Sequence, residues 1–176
     1  MTQPAWYERF GRIGRNLSIA ERYYERALYY YQRGKYDLAV ADLDAAIQNE
    51  PKNAELYVAR GLALLGDSRP ADAQEDLAYA LSLDPAQWLA YYGRGMHAFE
   101  SGQWAAAIDA FSRAQRLVPD RPEIYIYRAA ALYRAGQPDE ARGDIEVAQE
   151  LLPAADKRRK LASRWLAALG TVSSGM

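Results

Sequence analysis

"AELYVARGLALLGDSRPADAQEDLAYALSLDPAQ", residues 54–87, holds two amphipathic segments separated by a short polar turn and closed by a proline. In the first segment Tyr57, Gly61 and Leu64 recur at spacings of four and three, which places them on one face of a helix. Ala73, Leu77 and Ala80 do the same in the second, and Pro70 stands in a first helical turn, where a missing N–H costs nothing. Small residues on both faces allow two backbones to approach closely, while the larger ones fill the gaps between them. The expected unit is therefore a helix–turn–helix.

That unit recurs. Pro51, Pro85, Pro119 and Pro153 follow one another at intervals of 34 residues. The same interval links Ala39, Ala73, Ala107 and Ala141, then Ala46, Ala80, Ala114 and Ala148, and also Tyr23, Tyr57, Tyr91 and Tyr125. The predicted repeats are 20–53, 54–87, 88–121 and 122–155. An aromatic and basic arm, 1–19, precedes them, and 156–176 follows as one more helix and a short tail, with Leu161, Trp165 and Leu169 at intervals of four. Gly34, Gly102 and Gly136 end first helices, and Asp84-Pro85 and Val118-Pro119 close repeats because the residue before proline avoids the α region.

These features resemble the tetratricopeptide repeat family, with its early aromatic, paired alanines and closing proline. The resemblance implies an all-α, right-handed superhelical solenoid of four 34-residue helix–turn–helix repeats with a C-terminal capping helix, its first helices lining a concave groove. It departs from the common family pattern at Arg26, Arg60, Arg94 and Arg128, where leucine is usual. Pairing of Arg26 with Asp42, Arg60 with Asp76 and Arg128 with Asp144 is implied by other family members that carry such pairs. The third repeat has Ala110 in the aspartate's place, with Asp109 beside it, so Arg94 must look elsewhere.

Composition narrows the chemistry. The 176 residues contain no cysteine and one histidine, His97, which leaves no disulfide, no thiolate site and no multi-histidine metal centre. No catalytic set, cofactor motif or metal-ligand spacing stands out, so an enzyme is not expected. No apolar run approaches membrane-spanning length, and a cytoplasmic location is the default expectation. The net charge of −1 is uneven: residues 1–19 carry +2 and 156–176 carry +4, which leaves −7 for the body.

The stretch "YYERALYYYQRGKY", residues 23–36, has more tyrosines than one buried helix face requires. On a helical wheel Tyr23 and Tyr30 take the core face, while Tyr24 and Tyr31 fall on the adjoining one. In the other repeats that face holds Val58 and Leu65, Tyr92 and Phe99, and Ile126 and Tyr133, with Tyr127 next to it. These are the candidate partner-binding residues. Inter-repeat packing competes with binding for the same positions, and aromatic rings with polar tips suit interfaces. Glu21, Glu25, Glu55, Glu100 and Glu123 form the expected rim.

A protein or peptide partner, basic and aromatic, follows from that combination, held by a noncatalytic adaptor or assembly scaffold. At the places where some family members capture a C-terminal carboxylate, this chain has Glu25, Ala59, Gly93 and Tyr127, which argues against such a ligand. Two alternatives stand beside the adaptor: a self-associating or structural subunit, with residues 1–19 as the contact, and nucleic-acid binding through the "KRRK" run at 157–160. The acidic body weighs against nucleic acid. Within the arm, Trp6, Tyr7 and Phe10 beside Arg9, Arg12 and Arg15 have the chemistry of a groove ligand. The alternative role for the same arm is a cover over the exposed end of the first repeat.

Overall fold

The computed structural model describes residues 17–172, with side chains as far as Trp165. Among the described residues there are nine α-helices and no strand: α1 (Ile19–Gln32), α2 (Tyr36–Asn49), α3 (Ala54–Gly66), α4 (Pro70–Leu83), α5 (Trp88–Glu100), α6 (Trp104–Leu117), α7 (Pro122–Arg134), α8 (Pro138–Leu151) and α9 (Lys157–Val172). The chain divides into two compact units, 1–93 and 94–176, with the division inside α5. In the first unit α1 packs on α2, α2 on α3 and α3 on α4; in the second, α6 packs on α7, α7 on α8 and α8 on α9. This is an all-α solenoid of helix–turn–helix repeats.

Local chemistry starts and stops the helices. Ser18 and Glu21 form a reciprocal capping box on α1: the Ser18 Oγ accepts from the Glu21 N–H at 3.1 Å, and the Ser18 N–H donates to Glu21 Oε2 at 2.7 Å. Pro70, Pro122 and Pro138 open α4, α7 and α8. Gly34, Gly102 and Gly136 turn out of first helices at φ of 69°, 71° and 79°. In the second repeat Ser68 occupies the equivalent place at φ 59°, a left-handed conformation that costs an L-residue about 1 kcal/mol.

Small residues set the helix spacing. Ala27, Ala39, Ala46, Ala73 and Ala80 in the first unit, and Ala107, Ala114, Ala129, Ala141 and Ala148 in the second, are fully enclosed. A Cβ placed on Gly61 would lie 2.9 Å from the Leu77 side chain, and one on Gly95 would lie 2.7 Å from the Phe111 ring, so neither position has room for a methyl group. The tyrosine series is tied to the proline series: the Tyr57 hydroxyl donates to the Pro51 carbonyl at 3.0 Å and that of Tyr125 to the Pro119 carbonyl at 2.9 Å. Two of the 34-residue periods in the sequence are thus the two ends of one hydrogen bond.

The arginines complete each pair. Arg26 reaches Asp42 through Nε and Nη2 at 2.7 and 2.6 Å, Arg60 reaches Asp76 at 2.7 Å through both, and Arg128 reaches Asp144 at 2.7 and 2.6 Å. Each guanidinium also lies over the tyrosine three residues before it, 5.5 to 5.7 Å from the ring centre. The remaining nitrogen turns to the preceding repeat, from Arg60 to Asp44 at 2.5 Å and from Arg128 to Ser112 at 3.1 Å. Hydrogen bonds to these carboxylates hold all three arginines charged well above their ordinary range. Arg94 is exposed and makes no hydrogen bond or ion pair among the described residues. Alanine stands at 110, and the neighbouring Asp109 pairs with Arg113 at 2.9 Å.

At the C-terminal end, α9 packs by Ala162 and Trp165 against Ala129, Leu132, Ala141 and Ile145. Leu161 does not join them and is 53% exposed. With Ala162 at the centre of the contact, Trp165 stands about 60° and Leu161 about 100° to the same side, which leaves Leu161 at the edge of the buried face, and Leu169 lies beyond the described side chains. Arg159 Nη1 donates to the Leu152 carbonyl at 2.9 Å, which satisfies a free acceptor just past α8.

Two stability predictions follow from this packing. Asp76→Ala should cost about 2 kcal/mol, because it leaves Arg60 half-buried with only Asp44, whereas Asp42→Ala should shift Tm less, since Arg26 is mostly in water; Ala110→Asp should raise Tm by giving Arg94 the missing acceptor. Denaturant melts of the three variants test that order. Trp165→Ala should cost about 2 to 3 kcal/mol, below the value for a fully enclosed ring, and hydrogen exchange in that variant should rise first in α8 and α7. Uniform loss of protection would contradict the nearest-neighbour packing.

Candidate functional site

In the first unit the candidate residues divide by burial. Val58 and Tyr92, at 2% and 9% exposure, are core residues; Val58 packs beside Leu62 and Leu77, and Tyr92 lies edge-on to Trp88 with ring centres 6.2 Å apart. Tyr24, Tyr31 and Leu65 are half-buried and border the core. Tyr31 packs edge-on against Tyr36 at 5.4 Å, and burial, with Tyr36 second, pushes its hydroxyl up to about 12. The Tyr24 hydroxyl donates to Glu55 Oε1 at 3.0 Å, linking α1 to the start of α3. Tyr29, 51% exposed, lies outside this face and carries Arg33 over its ring at 4.3 Å.

Beside Tyr24 lies a cleft of about 260 Å³. Leu17, Ala20, Tyr24 and Leu56 give it an apolar floor, and Glu21, Glu25, Glu50, Glu55 and Asn53 surround that floor. Among the described residues no lysine or arginine lines it. Glu21 already caps α1, Glu50 accepts from Asn53 Nδ2 at 2.9 Å and Ser18 Oγ at 3.4 Å, and Glu55 accepts from Tyr24. Neutral donors hold these carboxylates without cancelling their charge. Glu25 has no hydrogen bond or ion pair among the described residues.

Sequence reasoning missed Glu50 and Asn53. Glu50 precedes the repeat-closing Pro51, and Asn53 caps α3 through a 3.1 Å bond from the Glu55 N–H. An Asn at the head of a predicted helix is a capping signal legible in the sequence. That Glu50 turns toward α1 is not.

In the second unit Phe99 packs edge-on to Trp104 at 5.3 Å, and Tyr127 stacks on Phe111 at 6.0 Å. Ile126 is half-buried, and Tyr133 is 48% exposed. Of the rim residues here, Glu100 is exposed, while Glu123 is half-buried and contributes to the raised pKa of Arg158. The basic run on α9 is partly committed to structure: Arg158 holds Asp156 at 2.6 Å, depressing that carboxyl, and Arg159 holds the Leu152 carbonyl. Lys157, Lys160 and Arg164 remain exposed.

The Tyr31 hydroxyl gives this face a pH signature. A phenol whose folded pKa lies near 12 instead of 10 stays protonated while the unfolded chain ionises, so stability is unaffected below pH 10 and falls as pH rises from 10 to 12. Tyr31→Phe should flatten that alkaline decline. Urea melts of both proteins at pH 9 and 11 measure the difference.

The tetratricopeptide repeat family description matches residues 58–122 and 97–156, and a second TPR description matches residues 23–67. Among solved structures, the crystal structure of MamA protein is 22% identical, covering 86% of this chain and 90% of that one, with a TM-score of 0.65. Pseudomonas aeruginosa pilF is 20% identical over 89% of this chain and 69% of its own, with a TM-score of 0.78. The TPR domain of Arabidopsis OM64 is 24% identical over 64% of this chain and 93% of its own, with a TM-score of 0.59. At these identities the likeness is one of fold. No curated protein matches the sequence. The helix pairs, their 34-residue register and family matches running from residue 23 to residue 156 lead to one assignment: the chain belongs to the tetratricopeptide repeat family, a family of protein-interaction modules.

Proposed function

We propose that this protein is a noncatalytic adaptor or assembly scaffold, and that its first unit binds a basic, aromatic helix or peptide in the cleft beside Tyr24. The observation that carries the reading is the cleft itself, an apolar floor of Leu17, Ala20, Tyr24 and Leu56 among four glutamates, with no cation among the described residues that line it. An apolar side chain of the partner fills the floor, and arginines meet Glu25 and Glu55. Half-exposed aromatics reward such contact because they bring area with little rotamer entropy to lose. Phe99, Ile126, Tyr127 and Tyr133 offer a second apolar face in the unit 94–176.

No helix among the described residues is long and apolar enough to cross a membrane. Nucleic acid is the weaker reading, because Arg158 and Arg159 serve the α8–α9 connection, which leaves Lys157 and Lys160 of the KRRK run, and Arg164 beyond it, exposed.

The test is a titration of the full chain with two synthetic peptides of equal length, one carrying arginines and tryptophans, the other the same aromatics with glutamates. The basic peptide should bind in the micromolar range and weaken with added salt. Glu25→Lys with Glu55→Lys should weaken it at least about tenfold, a change of ~1.4 kcal/mol. Equal binding of both peptides, or no response to the double substitution, would count against the cleft.

A further inference from the structure

We propose that the outer face of α1, on the side away from the cleft, docks an acidic helix of another protein, seated there as α2 is seated on α3. Ile19, Arg22, Arg26, Tyr29 and the C-cap residue Arg33 follow one another at spacings of three and four, within about 80° of arc. Ala20, Glu21 and Tyr24, which line the cleft, occupy the opposite half of the helix. All five residues of the stripe are exposed, Ile19 at 60% and Tyr29 at 51%.

The other repeats show what this face meets elsewhere. One 34-residue period further on, Leu56 and Ala63 of α3 take the places of Arg22 and Tyr29, and Ile124 and Ala131 of α7 take them again; all four are buried. Leu56 and Ala63 share a core cluster with Val40, Leu43 and Ile47 of the preceding α2, and α7 packs likewise on α6. The arginine of the stripe also reaches back, Arg60 Nη1 to Asp44 and Arg128 Nη1 to Ser112. Arg26 commits Nε and Nη2 to Asp42, while its Nη1 makes no hydrogen bond among the described residues. The face on α1 thus keeps the helix-seating register, but its chemistry is cationic and aromatic where α3 and α7 are apolar.

Charge complementarity names the occupant. Arg22 and Arg26 are like charges one turn apart, and neither they nor Arg33 pair with the nearby Glu25 or Asp37. The residues whose side chains lie outside the described set, 1–16 and 166–176, hold one carboxylate side chain, Glu8, against Arg9, Arg12 and Arg15, so they do not supply the complementary charge. An acidic helix does. Two of the three arginines are already ordered, Arg26 by Asp42 and the Tyr23 ring and Arg33 over the Tyr29 ring at 4.3 Å, so little rotamer freedom is lost on binding. A protein helix suits the stripe better than a phosphate backbone, because Arg26 offers one remaining nitrogen at a fixed place and Ile19 and Tyr29 need aliphatic side chains opposite them.

The test titrates the full chain with three synthetic probes: a helical peptide with glutamates and leucines along one face, a peptide of the same composition with the glutamates spread around the helix, and duplex DNA of equal charge. The one-faced peptide should bind with a micromolar Kd, at least about tenfold tighter than its scrambled form. Arg22→Glu with Arg33→Glu should weaken it at least about tenfold and confer binding of the same peptide rewritten with lysines. Tyr29→Ala leaves the charge unchanged and should still weaken it several-fold. Amide shifts should move at Arg22, Arg26 and Tyr29 and stay still at Glu55 and Leu56 in the cleft. The substituted residues are exposed, and circular dichroism checks that the variants fold; should the double variant melt, Tyr29→Ala and the shift map decide.

Equal binding of the two acidic peptides, binding indifferent to the substitutions, or shifts centred on the cleft overturns the proposal. So does DNA that binds as tightly as the one-faced peptide and is lost in the same double variant, since the face then takes phosphate. Self-association in sedimentation that Arg22→Glu with Arg33→Glu abolishes overturns it too, in favour of a second copy. The inference goes beyond the reading of the cleft and stands apart from it: the basic aromatic peptide should bind the Tyr29→Ala variant as it binds the native chain.

Discussion

The contact on which the structure depends is the close approach of paired helices at alanine and glycine. Ala27, Ala39 and Ala46 are fully enclosed, and Gly61 against Leu77 leaves no room for a methyl group. Interiors packed at that density tolerate neither a void nor an added atom. Once the helices of a pair are fixed at this distance, the proline turns, the tyrosine hydroxyls and the arginine bridges fall into register. The 34-residue period in the sequence reflects this one contact and its consequences.

The arginine position shows how a charge is kept beside such a core. A guanidinium there is tolerated because two carboxylate oxygens, a tyrosine face and, in two repeats, an acceptor from the preceding second helix surround it. Arg26, with the most water around it, depends least on its aspartate. Arg94 shows the same position without acceptors: its place is matched by Ala110, and the side chain goes to solvent. The third repeat holds its second helix through apolar packing, with Phe111 fully enclosed against Gly95.

Acidic character in the first unit has more than one origin. Glu21 belongs to a helix cap, and Glu50 and Glu55 belong to a network of neutral donors formed by Ser18, Asn53 and Tyr24. Each is locally explained, yet their charges accumulate around an apolar floor. That sum is a property of the assembled surface, and it is what motivates the proposal of a basic partner. Tyr24 joins the two parts, with its ring on the floor and its hydroxyl on Glu55.

The sequence by itself determined the class of fold and, in three of the four repeats, the spacing of Arg and Asp, because periodicity and turn chemistry are local and the 34-residue unit recurs. It did not separate binding residues from packing residues on the first-helix face. Val58 and Tyr92 share a wheel position with Tyr24, and only the neighbours each one meets decide that the first two are enclosed and the third lines a cleft. Leu161 shows the same limit in α9, where seating Ala162 and Trp165 settled which side faced inward. Glu50 could not be assigned to the cleft from its place in a turn, since what brings it beside Ser18 is the packing of α2 on α1, which sets the end of one helix against the start of the other. Periodicity says which residues share a face; the distance to the next element says whether that face meets protein or water.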